Sequence, residues 1–448
     1  MKIAIDSLDR SHDPDRRSWV ASANVTGCDF PLQNLPLGVF SHTSGGDSPR
    51  AGVAIGDCIL DLSVALDAGL LPADAADAAR AVSHADGSLN ALMAQGHSAS
   101  QALRMAVSEL LGSEDTPNSE AARAVAGSLL VAQADARMHL PAHIGGFTDF
   151  MCSIEHVRRA RGKTHPDDPV PASMRHMPLA YNSRASSVCP SGHGVVRPHG
   201  PSKAPDGTAR FSPSEALDFE LEIGAYIGPG SALGDAVALS EAQRQVFGLC
   251  LLNDWSARDI QRWESLPLGP FLGKSFATVV SPWVVIVQAL APFVCARAWH
   301  QADWLQPLPH LHVAAGSLDT FDLDLAVWMT SAEMRARGLD PLRITRSRFA
   351  ELPWSLPQMV VHQASNGCDL RPGDLIGSGT VSGAGPMSCG CLAEFPAPLE
   401  LPDGSTRRWL ADGDELVLTA HARRDGFVPI GFGACRSRVL PSRPWPVA

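Results

Sequence analysis

The pattern of apolar and polar positions divides the chain into two regions. Residues 51–63 (AGVAIGDCILDLS) hold two short apolar runs joined by Gly56-Asp57, which predicts a β-hairpin. From residue 65 to residue 135, alanine and leucine recur at helical spacing, and this predicts several helices. Beyond about residue 141, short apolar runs alternate with Gly, Pro, Asn and Asp, which predicts a large antiparallel or mixed β domain.

Periodicity alone does not assign the secondary structure of two longer apolar segments. Residues 241–263 (EAQRQVFGLCLLNDWSARDIQRW) are predicted to form one helix, with NDWSARD near an end or a break. Residues 276–296 are about long enough to span a bilayer, but Pro282 and Pro292 interrupt them. Buried strands joined by turns are therefore the prediction for this segment, and no membrane partner is expected.

Length and charge limit the kinds of protein the chain can be. Its 448 residues exceed one compact domain, so we expect a polar extension over 1–18, an N-terminal domain over 19–140 and a C-terminal domain over 141–448. The net charge of −11 argues against nucleic acid as a partner, because no basic stripe is available to neutralise phosphates.

The cysteines and the first residues indicate the compartment. None of the ten cysteines forms a Cys-x-x-Cys pair, so neither a disulfide framework nor a cysteine zinc site is expected. The start, MKIAIDSLDRSHDPDRR, has no apolar core of a secretory signal. A cytoplasmic protein is the prediction.

Carboxylates stand inside apolar runs at several places. In LDFELEIGAYIGPG, Glu220 and Glu222 are two residues apart in a predicted strand and so point to one face. Like charges repel unless water screens them or a cation lies between them, which leaves an exposed edge strand and a metal site both open. Asp254 and Asp149, each next to aromatic residues, favour a metal. Oxygen donors alone suit Mg²⁺ or Ca²⁺ rather than zinc.

Long blocks of the chain resemble the fumarylacetoacetase family. The signature segment is NDWSARDIQRWESLPLGPFLGKSFATVVSPWVV, residues 253–285. Further blocks follow in the family's order: DFPLQNLPLGVF (29–40), VAIGDCILDLS (53–63), YNSRASSV (181–188), FELEIGAYIGPGSALG (219–234), NGCDLRPGDLIGSGTVSG (366–383) and IGFGACRSRVLP (430–441). The resemblance implies a mainly β (α+β) fold, with a small SH3-like β-barrel N-terminal domain and a larger C-terminal mixed β-sandwich roll. It also implies a homodimer.

The resemblance assigns metal ligands residue by residue. The family's four ligating carboxylates match Asp149, Glu220, Glu222 and Asp254. A second cation site of the family lies beside the last of these, and its positions match Lys274, through the main-chain oxygen, and Thr278. The implied cofactor is Mg²⁺, Ca²⁺ or both.

The resemblance also assigns catalytic groups. His156 matches the family's catalytic histidine, and Glu394 matches the carboxylate that orients it and stabilises its imidazolium. The positions that match substrate-facing groups are Arg258, Gln261, Lys274, Thr380 and Tyr181. A structural ion pair remains an alternative role for Arg258, and a structural role remains an alternative for His156.

The implied activity is metal-dependent hydrolysis of a carbon–carbon bond in a β-diketone, as in tyrosine catabolism. In the family's mechanism His156 activates water for attack on a carbonyl that the metal polarises, and an enolate stabilised by the metal leaves. Two alternatives stay open: another enolate reaction on the same site (decarboxylation, tautomerisation, dehydration or carbon–carbon bond formation), or a binding subunit without activity.

Four positions test how closely the substrate site follows the family. Met151 and Ser265 stand where the family has tyrosines, whereas Tyr181 is retained. Arg161 resembles the family's carboxylate-binding arginine, but its spacing from His156 is four residues shorter. Losing phenol donors redirects a site built to bind polar groups. The departures favour another β-diketone or acyl-β-keto acid over fumarylacetoacetate itself.

Overall fold

The N-terminal region is a five-stranded antiparallel sheet covered by helices. The computed structural model describes residues 8–45, 48–83, 87–162, 165–299 and 304–446. The strands are Leu37–His42 (β1), Arg50–Ile55 (β2), Cys58–Asp61 (β3), Leu130–Ala132 (β4) and Ala136–Met138 (β5), in the order β4-β3-β2-β1-β5. The helices are Leu62–Asp67 (α1), Ala73–Ser83 (α2), Asn90–Gln95 (α3), His97–Leu111 (α4), Pro117–Ala124 (α5) and Ala126–Leu129 (α6).

The predicted hairpin and helices of this region are confirmed. β2 and β3 pair across a tight turn in which Gly56 has a φ of 58°, a conformation that favours glycine. Asp61 then ends β3 and caps α1, because its carboxylate accepts from the backbone N–H groups of Ser63 and Val64. The closure of the sheet into an SH3-like barrel stays a prediction.

Part of the predicted N-terminal extension packs on the helices. The Arg16 guanidinium lies 2.7 Å from Glu114 and donates to the Ser108 hydroxyl, also at 2.7 Å. His12 Nε2 lies 2.8 Å from the Gln288 carbonyl oxygen. Of the described residues 8–18, Ser11, His12, Arg16 and Ser18 are buried, and residues 1–7 lie outside the described part of the chain.

The C-terminal region is built mostly of strands. In chain order these are Phe147–Met151 (β6), Leu179–Asn182 (β7), Val188–Pro190 (β8), Gly194–Val196 (β9), His199–Lys203 (β10), Ala209–Pro213 (β11), Leu217–Asp218 (β12), Leu221–Ile227 (β13), Val246–Asp254 (β14), Ser256–Ala257 (β15), Thr278–Val280 (β16), Val285–Ile286 (β17), Val294–Ala296 (β18), Leu318–Phe321 (β19), Leu323–Thr330 (β20), Leu342–Arg348 (β21), Leu375–Gly377 (β22), Leu399–Glu400 (β23), Thr406–Arg407 (β24), Glu415–Ala422 (β25), Ile430–Gly431 (β26) and Cys435–Leu440 (β27). The helices are Ile154–Gly162 (α7), Leu239–Ala242 (α8), Arg258–Glu264 (α9), Ala332–Ala336 (α10) and Leu356–Ala364 (α11).

Two large mixed sheets pack together in this region. The eight-stranded sheet runs β7-β6-β22-β13-β14-β16-β8, with β17 also paired to β14. The six-stranded sheet runs β21-β20-β25-β27-β9, with β26 also paired to β25. β13 and β14 lie against β20, β25 and β27, so the centres of both sheets are buried. The fold is therefore mixed α+β and mainly sheet, as predicted.

The single helix predicted over 241–263 is wrong. Only its ends are helical, in α8 and α9, and the apolar run between them is strand β14, which pairs with β13 and β16. Every residue of β14 is buried. A strand buried on both faces has no alternation, so periodicity cannot distinguish it from a buried helix.

The long apolar segment 276–296 forms buried strands and turns, as predicted. It contains β16, β17 and β18, and a short 3₁₀ helix at Ala291–Phe293. Within the described ranges, no helix has the length and apolar character needed to cross a membrane. All ten cysteines are described, and none of them forms a disulfide bond.

Candidate active site

The four predicted metal-ligating carboxylates converge on neighbouring strands. Asp149 lies in β6, Glu220 immediately before β13, Glu222 in β13 and Asp254 at the end of β14. β6, β22, β13 and β14 are consecutive in the large sheet. One oxygen of each carboxylate lies within 4.8 Å of the others, and all four residues are buried. The alternative of an exposed edge strand is wrong, because β13 is a central strand. We call these four residues the carboxylate cluster.

Two glycines of the segment after β22 make room for this cluster. A Cβ atom on Gly377 would lie 2.6 Å from Asp149 Oδ1 and 3.0 Å from Glu222 Oε2. Gly379 has a φ of 74°, and its N–H donates to Glu222 Oε2 at 3.0 Å. A Cβ atom there would lie 2.1 Å from the Phe150 carbonyl oxygen. Only glycine permits this close approach.

Two cationic side chains offset part of the cluster's charge. Lys274 Nζ lies 2.7 Å from Glu220 Oε2 and 2.6 Å from Asp254 Oδ2. Arg258 Nη1 lies 2.7 Å from Glu220 Oε1. Burial would lower the pKa of Lys274, but the charges of Asp254 and Glu220 outweigh burial and raise it. Lys274 is therefore a fixed cation. Two positive charges against four carboxylates leave an excess of negative charge.

Two oxygens in the other half of the cluster lack hydrogen-bond partners among the described residues. Asp149 Oδ1 and Glu222 Oε1 are buried and have no hydrogen-bond partner in the described part of the chain. Burial is the main cause that raises the pKa of each residue well above its ordinary value, and the neighbouring carboxylates raise it further. A divalent cation would supply the missing charge and contacts, and oxygen ligands suit Mg²⁺ or Ca²⁺. The residues present therefore fit the implied metal.

Thr278 and Tyr181 both hold Asp254. Thr278 Oγ1 donates to Asp254 Oδ1 at 2.7 Å, and the Tyr181 hydroxyl donates to Asp254 Oδ2 at 2.9 Å. The bond places Tyr181 beside a candidate metal ligand, and its predicted contact with substrate stays a prediction. The second cation site predicted at Lys274 and Thr278 stays a prediction.

A histidine–carboxylate pair lies beside the cluster. His156 Nδ1 in α7 lies 2.7 Å from Glu394 Oε1, in the short 3₁₀ helix Leu392–Glu394. The Ser382 hydroxyl donates to the same oxygen at 2.6 Å. Burial would raise the pKa of Glu394, but the bonds from His156 and Ser382 outweigh it and lower the pKa. Because a carboxylate only accepts, Nδ1 carries the proton and Nε2 can accept one.

The pair differs from the carboxylate cluster in being satisfied by its own hydrogen bonds. The Cys391 thiol adds a third donor, 3.5 Å from Glu394 Oε1. Burial raises the pKa of Cys391 well above its ordinary value, so the sulfur remains a thiol rather than a ligand. His156, Cys391 and Glu394 could be grouped around a metal by distance alone. Their hydrogen bonding makes a proton-transfer pair the better description.

Sequence analysis missed Asp218, which joins the two parts of the site. Its carboxylate accepts from the backbone N–H groups of Leu392 and Ala393 at 2.7 and 3.1 Å, directly before Glu394. It also accepts from Arg258 Nε at 2.9 Å. The signal was available, since Asp218 is a third acid in the apolar run that holds Glu220 and Glu222.

Four of the predicted substrate contacts are partly exposed, namely Met151, Arg161, Gln261 and Ser265, and we call them the rim. Met151 packs against an apolar cluster that includes Trp299. The Ser265 hydroxyl donates to the Gln261 carbonyl oxygen at the end of α9. Gln261 Oε1 accepts from Arg258 Nη1 at 3.1 Å. Met151 has no hydrogen-bond donor, and the hydroxyl of Ser265 is already used on the backbone of α9.

The two remaining predicted contacts differ in burial. Arg161 lies in the last turn of α7, next to residues 163–164, which lie outside the described part of the chain. Its reach to substrate stays a prediction. Thr380 is buried, and a Cβ atom on Gly390 would lie 2.4 Å from its methyl carbon. This contact ties the Gly-Ser-Gly-Thr segment to the segment that carries Glu394.

Comparisons with known proteins agree with this architecture. Residues 33–141 match the family model described as "Fumarylacetoacetase N-terminal", and residues 146–440 match "Fumarylacetoacetate (FAA) hydrolase C-terminal". The fumarylacetoacetase of Oryza sativa subsp. japonica is 41% identical over 439 residues, which cover 96% of this chain and 98% of that one. The human fumarylacetoacetase is 40% identical over 432 residues, 92% of this chain and 97% of that one.

A solved structure shares the fold. The fumarylacetoacetate hydrolase of Exiguobacterium antarcticum matches with a TM-score of 0.50 at 15% identity, over 91% of this chain and 100% of that one. Both family models lie in their expected order, and the sequence identity extends over nearly the whole chain. This protein belongs to the fumarylacetoacetase family.

Proposed function

We propose that this protein is a divalent-metal-dependent hydrolase that cleaves a carbon–carbon bond of fumarylacetoacetate, a β-diketone of tyrosine catabolism. The observation that carries the proposal is the buried carboxylate cluster beside the hydrogen-bonded His156–Glu394 pair. Identity of about 40% to enzymes named fumarylacetoacetase supports the same reaction class, hydrolysis of carbon–carbon bonds in ketonic substances.

Asp149, Glu220, Glu222 and Asp254 would hold Mg²⁺ or Ca²⁺. When bound, the ion supplies Lewis-acid polarisation of a carbonyl and stabilises negative charge on the leaving enolate. Lys274 and Arg258 keep Glu220 ionised, since burial alone would raise its pKa and their charges lower it. Tyr181 and Thr278 orient Asp254. The chain itself thus keeps the carboxylates placed and charged for a cation.

His156 acts as the general base. With Nδ1 held by Glu394, Nε2 takes a proton from the attacking water, and the ionised Glu394 stabilises the imidazolium that forms. Arg258 has two roles. Its Nε and Nη1 hold Asp218 and Glu220, whereas Nη2 is buried and has no partner among the described residues. Nη2 is the donor available to a substrate oxygen.

Two observations favour different substrates. The names of the relatives favour fumarylacetoacetate. Met151 and Ser265 favour a different β-diketone or acyl-β-keto acid, because one is apolar and the other spends its hydroxyl on the backbone of α9. A site without the phenol donors binds a carboxylate less selectively.

The test is an assay of the purified protein with Mg²⁺ or Ca²⁺. Loss of diketone absorbance would be followed for fumarylacetoacetate, a simpler acylpyruvate and an aryl β-diketone. Fastest cleavage of fumarylacetoacetate supports the proposal. If only another diketone is cleaved, the proposed reaction type stands and the proposed substrate is wrong. No cleavage of any of the three, with metal bound, contradicts the proposal and favours another enolate reaction.

We infer a cytoplasmic homodimer with the domain division 1–18, 19–140 and 141–448. The loop after α9 supports the dimer, because Leu266 and Leu268 are 91% and 96% exposed and Phe271 is 64% exposed. Ten cysteines without a disulfide support a reducing compartment. Light scattering should give twice the chain mass, and Leu268→Glu should shift it towards the monomer. A monomeric wild-type protein would contradict the inference.

A further inference from the structure

Glu394 is a buried carboxylate whose two oxygens have different partners. Its side chain is 0% exposed. Oε1 accepts from His156, Ser382 and the Cys391 thiol. Oε2 accepts from Arg159 Nη1 at 3.1 Å. A buried carboxylate stays charged only if cations or donors replace its lost hydration.

Arg159 has the geometry to serve as that replacement. It lies one helical turn after His156 in α7, so both side chains leave the helix on one face. Its Nη2 donates to the carbonyl oxygens of Gly383 and Gly385 at 2.8 and 3.1 Å. The guanidinium is thus fixed on both sides, between Glu394 and the turn that follows Ser382.

The charge of Arg159 matters most when His156 is neutral. Among the described residues, only His156 and Arg159 lie within salt-bridge distance of Glu394. A general base must begin neutral, and at that stage Arg159 is the one permanent cation on the carboxylate. Without it, burial would favour a protonated Glu394, which would no longer hold the Nδ1–H form of His156.

We propose that Arg159 is a positioning residue for the reaction, which keeps Glu394 ionised and aimed at His156 Nδ1. It acts through Glu394 and does not itself contact the reacting atoms. The inference rests on the proposed function for its kinetic consequences, and on the hydrogen bonding alone for its structural ones.

Other titratable groups near His156 also affect the protonation of the His156–Glu394 pair. Glu394 and the Cys391 thiol face it from the segment after Ser382, and Glu220, before β13, acts on it electrostatically. Burial is the largest single effect on the pKa of Glu394 and raises it, but His156, Ser382 and Arg159 together outweigh burial and lower the pKa. Removing Arg159 therefore lets Glu394 take up a proton at higher pH, and the acid limb of the kcat profile should move upwards.

The test compares Arg159→Met and Arg159→Lys in the metal-loaded full-length protein. Arg159→Met should lower kcat for fumarylacetoacetate by about tenfold or more, with little change in KM, and move the acid limb to higher pH. Arg159→Lys keeps the charge and should restore the limb and most of kcat. Arg158→Met is the matched control, because it removes a neighbouring charge that pairs with Glu155 instead. It should leave kcat and the pH profile unchanged.

A second readout does not need activity. Two-bond ¹H–¹⁵N spectra of histidine-labelled protein report which ring nitrogen carries the proton, and the His156 signal is assigned by its loss in His156→Asn. Wild type, Arg159→Lys and Arg158→Met should show the Nδ1–H form, and Arg159→Met should show a mixture. If Arg159→Met does not fold, Arg159→Gln, which lacks the charge, replaces it.

The two readouts separate the two proposals. A wild-type protein that binds metal but is inert towards all three diketones would overturn the proposed function, whereas the spectra would still decide the role of Arg159. An unchanged His156 signal in Arg159→Met, or a wild-type His156 without the Nδ1–H form, would overturn the positioning role. So would a loss of kcat with an unshifted acid limb.

Discussion

The carboxylate cluster and the rim differ in the structure that holds them. The cluster lies on neighbouring central strands, its residues are 5% exposed or less, and Gly377 and Gly379 leave room for its oxygens. The rim residues lie at a strand end, on two helices and in a loop, and all are partly exposed. Sheet register allows few alternatives at the first place, and loops allow many at the second.

The difference suggests how the two places can change in this chain. A substitution in the cluster would change the balance of buried charge, since every oxygen there depends on a neighbour or on the metal. In the rim, by contrast, the methionine at position 151 packs against the apolar cluster that includes Trp299 and leaves no buried charge without a partner. We therefore expect changes in the buried part to alter kcat or metal binding, and changes in the rim to alter KM.

The largest effect should come from removing the general base. His156→Ala should lower kcat by about 10²- to 10⁴-fold, because it removes the imidazole Nε2 to which the proton of the attacking water is assigned. Metal content and melting temperature should stay near those of wild type, since the cluster's own contacts are intact. Kinetics with metal analysis checks this. A variant with more than a tenth of wild-type activity would remove His156 from the mechanism.

The next effect concerns the cluster itself. Glu222→Gln should weaken Mg²⁺ binding about a hundredfold, because a charged ligand becomes neutral. It should also raise the melting temperature of the metal-free protein, because it removes one of several buried like charges. Calorimetric titration and thermal unfolding measure the two effects. The control is Glu400→Gln, an exposed acid in β23. Unchanged metal affinity in Glu222→Gln would contradict the assignment.

A pH dependence separates the cluster from the rim without mutation. Burial and like charges raise the pKa of Asp149 and Glu222 in the metal-free fold. The folded state then binds more protons than the unfolded state between the ordinary and the raised pKa, so its stability falls as the pH rises through that window. Metal displaces these protons, so metal affinity rises with pH. Unfolding with and without metal across pH 4 to 8 measures both, and a flat metal-free curve would contradict the prediction.

The smallest effect belongs to the rim. Met151→Tyr restores a phenol and should lower KM for fumarylacetoacetate by about fivefold, which corresponds to one hydrogen bond of about 1 kcal/mol. Its kcat should change less than twofold. Met151→Leu keeps an apolar side chain and should change neither value. A Met151→Tyr variant with altered kcat and unaltered KM would show that the two regions are not separable in this way.

Some parts of the fold could be predicted from the sequence and others could not. The hairpin of β2 and β3 followed from two apolar runs around Gly56-Asp57, because a tight turn is a local signal. The strand β14 could not be predicted, because an apolar run that is buried on both faces has no hydrophobic periodicity. Its neighbours β13 and β16, which only the folded chain supplies, decide its conformation.

The site divides in the same way. The residue types of the cluster and the His156–Glu394 pair could be named from the chain, by their place in apolar runs and by resemblance. Asp218 could have been noticed as a third acid in an apolar run, but its contact with Leu392 could not. Arg159 could not be named at all, because it acts on Glu394, 235 positions away, and nothing local marks that contact.

The chain alone sets which chemistry is available: oxygen ligands for a hard cation, one histidine with a distant carboxylate, and a substrate rim without two phenols. The tertiary structure decided what those groups do. Strand order brought β6, β13 and β14 to one place, so that four carboxylates share a buried site. It also placed the Tyr181 hydroxyl on Asp254, a contact that the sequence does not indicate. Periodicity reports only which face a side chain occupies, whereas distance between side chains depends on pairing and register across the whole sheet.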